Sequence, residues 1–193
     1  MPRRRALLAG GLSLAAIGPA GAQPSGAWLD TLMQRLSEIP SRRADFTEQK
    51  RIAALAQPLA SRGRLIYVRP AQLEKITDAP RAERLIVDGD RLSLSTGGGA
   101  ARVLSLAASP LVAALVEGVR ATLAGDLAGL RRLYVIAAVG GLAGWRLILT
   151  PARPPLTRVL RSVTINGAGT DIRAIAVEQT NGDRQLMTIT PSS

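Results

Sequence analysis

The sequence predicts a mainly β protein with a few helices (an α+β fold), built on one antiparallel sheet of about ten or eleven short strands. Three observations predict this fold. Segments of alternating apolar and polar residues recur along most of the chain, and turn signals such as Asp88-Gly89 and Asn181-Gly182 separate them. Helical periodicity is confined to a stretch near the N-terminus and one in the middle. Hairpins this short pair strands antiparallel, and a sheet this large must curl or close.

Residues 1–22 are typical of a signal peptide. Arginines at positions 3–5 form a positive region, residues 6–17 form an apolar stretch, and Ala20-Gly21-Ala22 is a small-x-small cleavage site. The apolar stretch is too short and too rich in glycine for a transmembrane anchor. We therefore expect cleavage after Ala22, export by the general or the twin-arginine route, and a soluble mature chain.

Residues 23–193 are predicted to form a single domain, since they contain no long linker, charge block or repeat. Residues 26–39 have one apolar stripe at helical spacing, and Pro40 ends that helix. The pattern then changes to strands, and strand parity puts Leu65, Tyr67 and Arg69 on one face. The strands predicted in this first half are 44–54, 59–68, 73–77, 84–87, 91–95 and 102–106.

A helical insertion follows the first group of strands. Ser109-Pro110 is a typical helix start, and apolar residues continue the helix beyond Gly118. A second short helix is predicted over 123–130, with Asp126 as a candidate cap. The later elements are strands over 133–139, 145–150, 161–165, 172–179 and 184–189, with a helical turn at 156–160 and turns at Gly140-Gly141 and from Asn166-Gly167 to Gly169.

The composition excludes most catalytic chemistry. The chain has no histidine and no cysteine, which removes Ser-His-Asp triads, thiol nucleophiles, the usual zinc sites, disulfides and a lipid-modified cysteine. The carboxylate pair Asp88/Asp90 is better explained by turn chemistry, and the pair Asp45/Glu48 has no convincing partner. We expect no enzyme activity, no metal site and no cofactor.

The charge indicates a partner of opposite sign. Lysine and arginine number 25 against 14 acidic residues, a net charge of +11, and removing the three arginines of residues 1–22 leaves +8. Nucleic acid, anionic lipid and an acidic protein surface all fit such a charge, as does a solvated surface. Export argues against nucleic acid.

A curled sheet rich in Leu, Val and Ile either packs a core under helices or encloses an apolar cavity. In an exported protein such a cavity suits acyl chains, since each buried methylene contributes about 0.8 kcal/mol. The N-terminal helix and residues 109–123 are the natural lids.

Six segments resemble, in order, segments of the LolA family of periplasmic lipoprotein carriers. They are ADFTEQ at 44–49, GRLIYVRP at 63–70, LIVDG at 85–89, SPL at 109–111, WRLILTP at 145–151 and AVEQ at 176–179. The resemblance covers about residues 28–190. It implies an unclosed antiparallel β-barrel with a helical lid over an apolar cavity. It also implies a soluble, monomeric periplasmic carrier, loaded by an inner-membrane transporter or exporter and unloaded at an outer-membrane receptor.

The resemblance assigns roles to particular residues. Arg69, in the Arg-Pro segment, is expected to gate the lid, because a guanidinium bonded to lid carbonyls favours the closed state. Lys75 stands where the family has bulky cavity residues, and it can snorkel or meet an anionic head group. The expected cavity residues are Phe46, Leu65, Tyr67, Leu73 and Lys75, and the expected lid residues are Trp28, Leu32, Leu36, Leu111, Val112 and Leu115.

The cargo stays open at this point. Residues 73–80 resemble a divergent branch of the family, so an acylated lipoprotein and another acyl lipid are both compatible with the sequence. The alternative function is a periplasmic lipid-binding sensor, or an accessory protein of a lipid exporter, with the same architecture.

Overall fold

The computed structural model describes residues 25–192. The predicted signal peptide and its cleavage after Ala22 lie outside these residues. Within them, none of the helices has both the length and the apolar character needed to cross a bilayer. The described chain forms three α-helices, two short 3₁₀ turns and eleven strands.

The elements follow the predicted order. The helices are α1 (Ser25–Ser37), α2 (Pro110–Ala124) and α3 (Leu127–Leu133). The first six strands are β1 (Ser41–Arg51), β2 (Leu59–Val68), β3 (Gln72–Ala79), β4 (Glu83–Asp88), β5 (Arg91–Thr96) and β6 (Arg102–Ser105). The last five are β7 (Tyr134–Gly141), β8 (Gly144–Pro151), β9 (Leu160–Ala168), β10 (Asp171–Gln179) and β11 (Arg184–Pro191).

All eleven strands belong to one antiparallel sheet, which confirms the predicted fold class. The strand order is β6-β5-β4-β3-β2-β1-β11-β10-β9-β8-β7. Each half is a meander of neighbouring hairpins, and the two halves join where β1 pairs with β11. Strands β6 and β7 are the two edges and do not pair with each other, so the barrel is unclosed.

The helices pack on one face of the sheet. Helix α1 contacts α2 and β7, and its Leu32 and Leu36 are completely buried. These two residues are four apart and so lie on one side of the helix. Truncating either to alanine is expected to cost about 2–5 kcal/mol, the usual range for a buried leucine.

Helix α2 lies over the middle of the sheet and contacts two apolar clusters. The larger cluster includes α1, α3 and the strands of the second half. The smaller cluster is built on Val87, Leu92 and Leu106, against which Val112 and Val116 of α2 pack. Pro110 starts the helix as predicted, although the Ser109 side chain makes no capping hydrogen bond.

Two glycine-containing dipeptides that predicted turns, Asn166-Gly167 and Gly140-Gly141, are strand residues instead. Strand β9 continues through Asn166-Gly167, and the turn begins two residues later. A Cβ at Gly167 would overlap the ring of Trp145, so this glycine serves the close approach of that ring. Strand β7 likewise includes Gly140-Gly141.

Several element boundaries also differ from the prediction, most clearly those of β1, α2 and α3. Strand β1 spans Ser41–Arg51 rather than 44–54, since it begins directly after Pro40. Helix α2 runs through to Ala124, and the second short helix is α3 rather than 123–130. Gly125 ends α2 in the left-handed conformation at φ 70°, and Asp126 caps α3 by accepting a hydrogen bond from the Gly129 N–H at 2.7 Å.

Candidate functional site

A cavity of about 470 Å³ lies between the concave face of the sheet and helix α2. Its wall comes from β1 to β4, from β9 to β11 and from the α2 residues that face the sheet. Most of the lining is aliphatic, for example Leu65, Leu115, Val119, Ile175 and Met187. The volume is within the range of about 300–1,000 Å³ that is usual for small-molecule sites.

The scarcity of aromatic side chains helps to explain why this space is not filled. The whole chain has one phenylalanine, two tyrosines and two tryptophans. Trp145 and Tyr134 are buried in the larger cluster and do not line the cavity. Branched aliphatic side chains project less far from a sheet than aromatic rings, so they leave open the gap between the sheet and α2.

One end of the cavity is polar. Arg42 and Tyr67 are directly opposite each other in the β1–β2 ladder, and both line the cavity. Nη1 of Arg42 lies 3.8 Å from the Asp171 carboxylate, and that carboxylate also pairs with Arg173 at 3.2 Å. The side chain of Arg42 is 16% exposed and Tyr67 is 3% exposed, so an apolar wall contains a charged group and a phenol.

Burial changes the protonation equilibria of both groups. Desolvation lowers the pKa of the Arg42 guanidinium below its ordinary value, and the negative charge of Asp171 opposes this change. Desolvation raises the pKa of the Tyr67 phenol, while the charges of Arg69, Arg120 and Arg42 oppose that rise. Tyr67 therefore lies in the field of three guanidinium groups, from the turn after β2, from α2 and from β1.

A second polar cluster lies farther along β1. Glu48 is 10% exposed and accepts hydrogen bonds from Lys75 Nζ at 2.7 Å, from Ser61 Oγ at 3.0 Å and from Gln185 Nε2. The Lys75 ammonium also lies 4.9 Å from the centre of the Phe46 ring. Glu48 is six residues from Arg42, so the two clusters are about 20 Å apart along the strand.

Helix α2 is tied to the sheet by a side chain that the sequence analysis did not select. Arg120 donates from Nη1 to the Gly89 carbonyl at 3.0 Å and pairs through Nη2 with Glu117 at 3.0 Å. Gly89 is in the tight turn between β4 and β5. This contact ties the C-terminal half of α2 to the turn between β4 and β5.

The structure places the five expected cavity residues in two groups. Leu65, Tyr67, Leu73 and Lys75 line the cavity. Phe46 is 2% exposed and lies in the larger cluster below the Lys75 ammonium, away from the cavity wall. Because Lys75 is paired with Glu48, its charge is already compensated within the protein.

The six expected lid residues are divided between two helices. Trp28, Leu32 and Leu36 of α1 pack in the larger cluster and do not line the cavity. On α2, Leu115 lines the cavity, Leu111 packs on the larger cluster and Val112 on the smaller one. Helix α2 is therefore the element that covers the cavity.

Arg69, the expected lid gate, lies in the turn after β2 and is exposed. Its backbone N–H donates to the Pro40 carbonyl at 2.9 Å. The guanidinium that contacts the β4–β5 turn from α2 belongs to Arg120.

Sequence reasoning missed Arg42, Glu48 and Asp171 as residues of this region. Counting back by twos from the buried Phe46 would have placed Arg42 on the inner face, but the predicted strand began at Ala44. Glu48 was considered only as a member of a carboxylate pair. Asp171 follows the turn at Gly169, and its role depends on contact with a strand far away in the sequence. Among residues 25–192, no three acidic residues gather in a way that would hold a metal ion.

The solved structures that match this chain are distant from it in sequence. A LolA superfamily protein from Nitrosomonas europaea is 11% identical, with a TM-score of 0.47, 86% of this chain covered and 92% of that chain. A DUF1329 family protein from Desulfovibrio piger is 10% identical, with a TM-score of 0.48 and coverages of 84% and 88%. In the Pseudomonas aeruginosa MucA/MucB complex the match is 14% identical, with a TM-score of 0.38, 86% of this chain covered and 57% of that chain.

None of the curated proteins compared with this chain matches it. A family model does match, over residues 21–192, and its description is "Outer membrane lipoprotein carrier protein LolA-like". That range includes every strand of the sheet, helix α2 and the whole cavity wall. The chain therefore belongs to the LolA-like outer membrane lipoprotein carrier family.

Proposed function

We propose that this protein is a periplasmic carrier that holds the acyl chains of a lipoprotein or another lipid in its cavity and passes them towards the outer membrane. The observation that carries the proposal is the aliphatic cavity of about 470 Å³ beneath α2. Family membership supports the same class of function. The predicted signal peptide supports the location.

The cavity wall suits a chain-like apolar ligand. Each methylene moved from water into such a wall contributes about 0.8 kcal/mol, so a chain of ten buried methylenes gains about 8 kcal/mol before the costs of association. A wall of aliphatic side chains has no geometric preference for one chain over another. The carrier would thus accept acyl groups of different lengths.

Helix α2 is the element that would move on loading. Its residues Leu115, Val119 and Leu123 face the cavity, so the helix covers apolar surface that would otherwise meet water. An acyl chain that enters replaces those contacts, which lowers the cost of displacing the helix. Carriage of this kind requires binding and release and no bond chemistry.

Neighbouring residues on opposite faces of β11 give a direct test. Met187 is 7% exposed and lines the cavity, whereas Leu186 is 49% exposed on the outer face. Met187→Trp is expected to fill the cavity and weaken binding of a fluorescent C12 fatty acid at least about tenfold, since several methylenes lose their space. Leu186→Trp is the matched control and should bind as the wild type does.

Circular dichroism and thermal melting would show that both variants are folded. If Met187→Trp and the wild type bind the probe equally, the cavity is not the acyl site. If the wild type itself does not bind acyl probes, the carrier function is wrong.

A further inference from the structure

The cavity wall contains hydrogen-bond donors that have no acceptor. Within residues 25–192, the buried side-chain polar atoms without a partner are Arg42 Nε, Arg42 Nη2 and Tyr67 Oη. All three belong to one pair of residues that face each other across the β1–β2 ladder. Buried donors are costly when they are unpaired, and they are rare in native proteins. These three adjacent donors therefore require an explanation.

The unpaired atoms of Arg42 have the geometry of an anion receptor. Nε and Nη2 lie on one edge of the planar guanidinium, and this edge binds a carboxylate or a phosphate through two parallel hydrogen bonds. The other nitrogen, Nη1, is the one that approaches Asp171. Arg42 thus contacts its internal partner Asp171 through Nη1, and the edge formed by Nε and Nη2 remains unpaired.

The internal acid compensates Arg42 only in part. At 3.8 Å the contact with Asp171 is long for an ion pair, and Asp171 is 37% exposed and also pairs with Arg173. Arg69 and Arg120 add positive charge near Tyr67. Although Glu117 pairs with Arg120, this end of the cavity has more cations than anions.

In this structure the three donors have essentially no accessible surface, so neither water nor a ligand touches them while the two side chains keep these positions. Arg42 and Tyr67 nevertheless line the cavity, and the aliphatic wall beside them would hold the rest of a ligand. A change of rotamer in the long Arg42 side chain would turn its unpaired edge towards that ligand.

We infer that the cavity takes an acyl ligand with an anionic end group, a carboxylate or a phosphate, which accepts hydrogen bonds from Arg42 Nε, Arg42 Nη2 and Tyr67 Oη. The inference rests on the proposed carrier function and names the class of cargo. The hydrocarbon chain lies along the aliphatic wall. The end group occupies the region between β1, β2 and Asp171.

Three C12 probes separate the chain from the end group. Dodecanoate and dodecyl phosphate below their micelle concentrations, and 1-dodecanol below its solubility limit, would be titrated calorimetrically into the protein after its endogenous lipid has been removed. Dodecanoate and dodecyl phosphate are expected to bind the wild type at least about tenfold more tightly than dodecanol, since hydrogen bonds to a charged group are the strong ones. Acetate and inorganic phosphate, which lack the chain, should bind at least about a hundredfold more weakly than the C12 anions.

Two variants and one control assign the effect to residues. Arg42→Met should abolish the preference for the anionic probes and leave dodecanol binding intact, because an apolar side chain replaces an incompletely paired buried charge. Tyr67→Phe removes one hydroxyl and should reduce the preference about threefold to tenfold. Arg62→Met removes one positive charge from the exposed outer face of β2 and should change nothing.

Dodecanol binding shows that each variant keeps a formed cavity. If the wild type binds all three C12 probes equally, or if Arg42→Met keeps the anionic preference, the head-group site is wrong while the carrier function stands. If none of the C12 probes binds the wild type, the carrier function itself is wrong, and the head-group site falls with it. If inorganic phosphate binds as tightly as dodecyl phosphate, the site is one for a free anion and the acyl assignment is overturned.

Discussion

Removing the carboxylate of Glu48 should destabilise the fold, because three hydrogen-bond donors would then lose their acceptor. Glu48 accepts hydrogen bonds from Lys75, Ser61 and Gln185, and so connects β1 with β2, β3 and β11. Breaking a buried ion pair by deleting one partner costs about 3–5 kcal/mol. Lys75 is 25% exposed and can turn partly to water, which reduces the expected cost of Glu48→Ala to about 2–3 kcal/mol.

Urea unfolding would measure this loss. With a slope of about 2 kcal/mol per molar urea, the midpoint should fall by about 1–1.5 M for Glu48→Ala. Glu48→Gln keeps one acceptor oxygen and should lose about half as much. Asp45→Ala is the matched control, because Asp45 is an exposed acid on the outer face of the same strand and should remain within about 0.5 kcal/mol of the wild type.

A double-mutant cycle isolates the ion pair. Lys75→Met removes the other partner, and the double variant Glu48→Ala, Lys75→Met should be less destabilised than the sum of the single variants by about 1–2 kcal/mol. Additive single effects, or a Glu48→Ala midpoint equal to that of the wild type, would refute the view that Lys75 is engaged internally. Lys75 would then be free for a head group, as the sequence first suggested.

The remaining predictions concern the element that covers the cavity. Arg120→Met should speed hydrogen exchange in α2 about tenfold, since it loses the contact with the β4–β5 turn, and unchanged exchange would show that this contact does not hold the lid. Arg69→Leu tests the gate expected from the family. Faster hydrogen exchange in α2 would support gating by Arg69, and exchange at the wild-type rate would show that Arg69 does not hold the lid. Gly125→Ala should lower the stability by at least about 2 kcal/mol in urea unfolding, because the residue is left-handed and a Cβ would overlap the Met33 carbonyl. A midpoint equal to that of the wild type would mean that α1 and α2 can separate there at no cost.

The sequence predicted the sheet well because hairpin signals and strand alternation are local. Every predicted strand exists, and the tight turn between β4 and β5 is at Gly89-Asp90, one residue after the predicted Asp88-Gly89. The pairing of β1 with β11 could not be read from such signals, since it joins residues far apart in the chain. Asn166-Gly167 predicted a turn because Asn-Gly is frequent in hairpin turns. Gly167 nevertheless lies within β9, because a side chain there would overlap the Trp145 ring.

The site was harder to predict than the fold. Leu65 followed from strand parity, which is a local property, and Leu73 followed from the resemblance to the family. The contact between Arg42 and Asp171 joins β1 to the start of β10, so no local sequence pattern identifies either residue. Arg120 was one of many arginines in a strongly basic chain, and its contact with the Gly89 carbonyl depends on where α2 crosses the sheet.

The most direct test of the carrier function is native mass spectrometry of the protein, expressed as the full chain and purified without detergent, followed by lipid extraction. A carrier should hold about one acyl-bearing molecule per protein in the cavity beneath α2, and Met187→Trp should lose most of that molecule. A protein that carries no lipid and still binds no added acyl ligand would contradict this function, since the space beneath α2 would then have no part in carriage.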